Sequence, residues 1–198
     1  MWLTRKSRLF LRARKGLAAV EFALLLPVMI TLFFGVVETS AALSARAQVT
    51  SIAATVADLV AQGSTTSQGD LQNVFNAGNT ILYPYYDPTK GKTTKPDIVV
   101  ASIVDDGSGS ANGSKLTGRV AWVCYQGAAP TGLAVGSTVT FDQPLMTQNG
   151  SIIYSEARYT YQSPTSKMIA GTIQMSNKFY SKPRRVAQIP APANCPSP

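Results

Sequence analysis

Few residues in this chain have the type and spacing to do chemistry. There is no histidine, so Ser-His-Asp and Cys-His nucleophile systems and histidine-ligated metal sites are excluded. The two cysteines, Cys124 and Cys195, leave two readings. In an exported chain they form one disulfide; otherwise Cys124 is a buried strand thiol and Cys195 lies loose in the tail. A bridge would close a loop of roughly 70 residues, for which the chain-entropy model gives about 4 kcal/mol. The most unusual ionisable group is Glu21. It stands five residues beyond Gly16, and no residue from Phe22 to Val37 carries a charge. A charge near the centre of a bilayer costs about 2.5–3.5 kcal/mol on insertion scales, and such residues usually have a partner or a function.

Other candidates have simpler readings. Asp105 and Asp106 sit in a Gly/Ser-rich stretch that could offer oxygens to calcium, but the acid spacing and terminal Glu of an EF-hand are missing. A solvated turn is expected there. Asn112-Gly113-Ser114 and Asn149-Gly150-Ser151 match the glycosylation sequon, yet Asn-Gly is also a favoured hairpin turn pair, and turns are expected at both. The glycine-rich pieces match neither a phosphate loop nor a dinucleotide fingerprint. Lys90, Lys92 and Lys95 read as a solvated loop. Tyr83, Tyr85 and Tyr86 form either an exposed aromatic contact surface or packing over a sheet. Nothing in the pattern supports paired carboxylates for acid–base catalysis.

The elements that position Glu21 begin with a basic leader. The net charge is +8, and six of the 18 Lys and Arg residues precede Gly16: Arg5, Lys6, Arg8, Arg12, Arg14 and Lys15. The rest of the chain is nearly neutral. The basicity therefore reads as a topology signal, with the N-terminus cytoplasmic and the remainder exported, and not as a nucleic-acid footprint. Leu17 to Val37 is interrupted only by Glu21, Thr31 and Gly35 besides Pro27. It is long enough to cross a bilayer as a helix, which takes about 20 residues, and Pro27 should kink that helix without ending it. A secretory signal peptide cut after Ala45-Arg46-Ala47 competes, but its apolar region is typically about 7–15 residues long.

Beyond the apolar run, Ala42, Ala45, Val49, Ile52, Val56 and Leu59 recur at helical spacing. One helix is thus predicted from about Leu17 to Gln62: a membrane span continued by a stalk whose stripe packs on a soluble head. Gly63-Ser64-Thr65-Thr66-Ser67 breaks it. A short second helix follows over Asp70–Leu82, with Leu71, Val74, Phe75, Ile81 and Leu82 at helical spacing. From Asp97 the texture changes to strands: Ile98–Val104, Lys115–Gln126 with Leu116, Val120, Trp122 and Cys124 in one register, Val135–Phe141, Ile152–Gln162 and Ile169–Tyr180. The tail, with Pro183, Pro190, Pro192, Pro196 and Pro198, is expected to be extended and poorly structured apart from Cys195. Helices followed by strands on short turns predict an α+β fold with an antiparallel sheet. The expected division is 1–16 leader, 17–62 membrane and stalk helix, and 63–198 head.

Behind its basic leader, Gly16-Leu17-Ala18-Ala19-Val20-Glu21-Phe22-Ala23-Leu24-Leu25-Leu26-Pro27 resembles the start of TadE-like (TadE/TadG) proteins. These are minor pseudopilins of the tight-adherence, or Flp, pilus, and the segment is similar more broadly to the class III signal of type IV pilin-like proteins. Tyr159 and Tyr161, and Met175 leading to Pro183-Arg184, fit the later part of that pattern. The resemblance implies a pilin-like fold, cleavage by a prepilin peptidase after Gly16, and Leu17 as the new N-terminus. Glu21 would be the fifth mature residue, its carboxylate neutralising the freed α-amine of Leu17 on a neighbouring subunit. Two charges that are each costly alone would be tolerable as a pair. Pilins often begin the mature chain with Phe; Leu17 stands there instead, which leaves N-methylation open.

The implied partners are a prepilin peptidase, other pilins or pseudopilins, Tad inner-membrane assembly proteins and the membrane. No nucleic acid, cofactor, metal or small-molecule substrate is implied. The implied location is a bacterial inner membrane, crossed once, with the head periplasmic or extracellular. The chain thus reads as a non-catalytic assembly protein. A membrane-anchored or secreted binding module, adhesin-like and unrelated to pili, is the competing reading, and an exported enzyme the weakest.

Overall fold

In a computed structural model of the chain, residues 16–107, 115–142, 145–146, 148–163 and 171–196 are described. The predicted leader and the Asn112 turn lie outside them, apart from Gly16. The chain divides into two compact units, residues 1–42 and 43–198.

In the first unit a single element is described, the opening part of helix α1 (Leu17–Ala61). Its side chains from Leu17 to Val37 are exposed nearly throughout, and it is long and apolar enough to cross a membrane. Pro27 sits inside the helix and does not end it. The Thr31 and Thr39 hydroxyls donate back to the carbonyls of Pro27 and Gly35, both at 2.8 Å. That satisfies two polar side chains within the helix itself, as an apolar surrounding requires.

The second unit takes up α1 from Leu43. Here Ala45, Val49, Ile52, Ala53, Val56, Ala57, Val60 and Ala61 are buried. The predicted stripe holds through Val56 and then shifts by one residue: Leu59 is 40% exposed and Val60 takes its place. A repeat averaging 3.5 residues drifts around a helix with 3.6 residues per turn, so the end of the stripe leaves the buried arc. Helix α2 (Gln68–Ile81) starts at Ser67 with a capping box. Asp70 N–H donates to Ser67 Oγ at 3.1 Å, and Ser67 N–H donates to Asp70 Oδ2 at 3.0 Å, satisfying donors that a helix start leaves orphaned. Leu71, Phe75, Gly78 and Asn79 are its buried residues.

Five strands form one antiparallel sheet: β1 (Asp97–Asp105), β2 (Lys115–Gln126), β3 (Thr138–Asp142), β4 (Ser151–Tyr161) and β5 (Ile173–Ser181), in the order β3-β2-β1-β4-β5. The fold is α+β, as predicted. The third strand starts later than the predicted Val135, because Gly136 has φ 87° and breaks the extended backbone.

Directly opposed residues share a sheet face, so the register assigns the two layers. Ile98 pairs with Gln126, Val100 with Cys124 and Ser102 with Trp122; then Ile103 pairs with Val120, leaving Ala121 as an extra residue in β2. This bulge corrects the predicted register. Trp122 and Cys124 share a face, but Val120 lies on the other one, because one inserted residue reverses the alternation.

The face of Ile98, Val100 and Ser102 is the one the helices cover. A Cβ added at Gly78 of α2 would lie 2.6 Å from Ile98 Cδ1, 3.2 Å from Ile52 Cγ2 and 3.6 Å from Val56 Cγ2. Nearby, Asn79 Nδ2 donates to Gln126 Oε1 at 3.1 Å and Gln126 Nε2 donates to Asn79 Oδ1 at 2.8 Å. A reciprocal amide pair of this kind leaves little buried polar capacity unmet. The opposite face carries a second core of Val99, Ala101, Ile103, Val120, Phe141, Met146, Ile152 and Tyr154.

Candidate functional site

The residues singled out at the N-terminus fall at the start of α1. The helix begins at Leu17, directly after Gly16. Among the described residues nothing approaches within 4 Å of where a Cβ would stand at Gly16, and Leu17 is 62% exposed. Glu21 lies one turn further on. Residues four apart share a helix face, so Glu21 and Leu17 lie on the same side, with Glu21 exposed. From Leu17 to Ala45 the chain has no Lys or Arg. The cation that could balance Glu21 within this stretch therefore has to come from elsewhere than a side chain of the same segment. The arrangement offers a reachable Gly16–Leu17 peptide bond and a carboxylate on an apolar helix.

The head contains the other predicted pair. Cys124 and Cys195 are joined, with their Cα atoms 5.3 Å apart. Cys124 comes from β2 on the helix-covered face and Cys195 from the tail. The tail itself corrects an expectation: it is held at several points and not loose. Arg184 N–H donates to Ala61 O at 2.9 Å, tying off the end of α1, and its guanidinium pairs with Asp58. Ser151 Oγ donates to Ala187 O at 2.8 Å and Trp122 Nε1 to Ile189 O at 3.0 Å. Ile189 is buried. Ser151 opposes Val104 and Trp122 opposes Ser102, so the tail runs along the same sheet face as the helices. Two signals pointed to this. A strand Trp needs a partner for its indole N–H, and Ile189 is a lone large aliphatic residue among prolines.

The remaining candidates resolve as structure. Asp105 accepts from Gly107 N–H at 3.2 Å and from Asn149 N–H at 2.7 Å, which makes it a turn residue. Asn149 has φ 58° at the turn into β4. Of the tyrosines, Tyr85 packs edge-on against Tyr161 with ring centroids 5.6 Å apart, while Tyr83 is 56% exposed. Burial pushes the Tyr159 phenol above its ordinary range. Burial and the Glu156 carboxylate, 2.8 Å from its hydroxyl, push Tyr154 well above its own.

A family model described as "TadE-like protein" matches residues 16–58. The match begins at Gly16 and covers all of α1 but its last turn. The family is associated with Tad pili. No curated protein and no solved structure matches the chain.

Proposed function

We propose that this chain is a minor pseudopilin needed for assembly of a Tad (Flp)-type pilus, with a structural and non-catalytic role. The observation that carries the reading is Glu21. It is a lone carboxylate one turn into an apolar, exposed helix that starts directly after Gly16, within the stretch matched as TadE-like. In this reading a prepilin peptidase cuts after Gly16 and frees the Leu17 amine. Glu21 of a neighbouring subunit pairs with that amine, setting register as subunits enter the assembly with the Tad inner-membrane proteins. Each charge alone is costly in a bilayer, and the pair is tolerable.

The fold bears on the competing cleavage after Ala47. Ala45 is fully buried, and the backbone is helical through that position. Cutting there would remove a core residue from the head. The test is the N-terminus and intact mass of the protein from its native membrane. A start at Leu17 supports the reading, and a start at Gln48 or an uncleaved chain sinks it. In addition, Glu21→Ala is expected to abolish piliation while the protein is still made.

A further inference from the structure

The two sulfurs of the Cys124–Cys195 bond sit in different surroundings. Cys124 is fully buried in β2 between the sheet and what covers it. Cys195 is exposed on the tail. No strand pairing of the sheet involves the tail, so opening the bond leaves the ladder intact. We propose that this bond is a reversible latch on the tail. Its exchange site is Cys195, and its partner is a protein dithiol of the Cys-X-X-Cys class. The proposal takes its setting, an exported head, from the reading above; its chemistry is independent of it.

Access decides which sulfur is attacked. An incoming thiolate approaches a disulfide sulfur from the side opposite the leaving sulfur, and the rate depends on reach. Cys124 lies wholly within the core, whereas Cys195 is an exposed residue whose Sγ lies 3.4 Å from the Val123 carbonyl. The partner's thiolate bonds to Cys195 Sγ, the Cys124–Cys195 bond breaks, and Cys124 leaves as a thiolate that takes up a proton. The partner's second thiolate then attacks its own sulfur in the mixed disulfide and releases Cys195. The partner dithiol is oxidised to a disulfide by two electrons, and the cystine is reduced to two thiols. Run in reverse, the same steps close the latch, with Cys124 resolving a mixed disulfide held on Cys195.

Four polar ties remain on the tail after opening, two at Arg184 and one each at Ala187 and Ile189, together with the buried Ile189 side chain. Each of these contacts can open and close on its own, whereas the bond opens only by exchange. The bond therefore sets how often the tail lifts from the Trp122 face.

The test uses the purified, oxidised full chain in detergent. It is incubated under native conditions with a Cys-X-X-Ser thiol protein, which stops at the mixed disulfide, and the adduct is located by peptide mass mapping. Adduct on Cys195 in at least tenfold excess over Cys124 is the expected result. Adduct on Cys124, equal labelling, or labelling only after urea unfolds the head would overturn the proposal. In parallel, trypsin should cut after Arg185 at least tenfold faster in the reduced chain; equal rates would show that the bond is not what holds the tail. Glu21→Ala should exchange like the parent, so failure of the pilus reading and failure of the latch are separately visible.

Discussion

At Gly78 α2 meets side chains of both α1 and β1, and substituting it tests the packing of the head. Alanine in place of a helical glycine gains about 1 kcal/mol of helix propensity. Against that, the new methyl would stand 2.6 Å from Ile98 Cδ1 and 3.2 Å from Ile52 Cγ2, both on fully buried side chains. Overpacking of this kind costs about 1–3 kcal/mol, so Gly78→Ala is expected to destabilise the head by about 1 kcal/mol net. The geometry names the relief. Ile98→Val removes Cδ1, the atom in the closest clash, at its own cost of about 0.5–1.5 kcal/mol. With Cδ1 gone, the nearest neighbour is Ile52 Cγ2, which has to yield only a few tenths of an ångström. The double variant should therefore be no less stable than Ile98→Val alone, a favourable coupling of about 1–2 kcal/mol. Urea unfolding of the full chain in non-ionic detergent, read by near-ultraviolet circular dichroism, measures all four corners of the cycle. Additivity within about 0.5 kcal/mol would refute the argument, because it would mean the two sites do not share that contact.

Further outcomes follow from other parts of the head. Replacing both cysteines by Ser removes a cross-link spanning 71 residues. It should lower stability by about 4 kcal/mol, or roughly 8–16 °C in Tm for a head of this size, as differential scanning fluorimetry would show. Gly127 has φ 83°, and the Asp97 carboxylate that accepts from Ala128 N–H occupies the position its Cβ would take. Gly127→Ala should cost about 1–3 kcal/mol in the same melts. The hydrogen bonds from the Ser67 hydroxyl and then the Ser67 backbone hold Asp70 below the usual carboxylate value. A carboxylate lowered by folding stabilises above its unfolded pKa and loses that contribution as pH falls through the folded value. The stability gap between the parent and Asp70→Asn should therefore be full at neutral pH and shrink below about pH 4; a gap that grew on acidification would contradict the cap.

Much of this architecture was readable from residue patterns. Strands rich in Val, Ile and Tyr, such as β2 and β4, fell close to their predicted limits, because packing on two faces demands those residue types. The second helix was expected from Asp70; the capping box of Ser67 and Asp70 starts it two residues earlier, at Gln68. What escaped was non-local. The extra residue Ala121 in β2 is visible only once β1 is laid beside it. The course of the tail depends on Trp122, Ser151 and Ala61, which lie far from it in sequence. The end of the stripe at Val60 and not Leu59 reflects helix geometry summed over several turns. At the N-terminus, the apolar run was legible because length and hydropathy are local properties of a contiguous segment. The proposed pairing of Glu21 would lie between chains, and one sequence carries only half of such a contact.

The strand order has a consequence for how the head comes together as the chain is made. β1 is the first strand in sequence and the middle one in space, so the sheet can grow outward from it in both directions. Its pairing with β2 is complete once residue 126 is present. By then α1 and α2 already exist to cover Ile98 and Val100. The other half waits: β4 returns to β1 across the length of β2 and β3, and β5 follows it. Non-local strand pairing of this kind is slow, and it leaves one flank of β1 open in the interval. The chain thus has a half of the sheet that can pair early and a half that closes an edge later. The stretch around Ile189, whose carbonyl Trp122 reaches, follows β5.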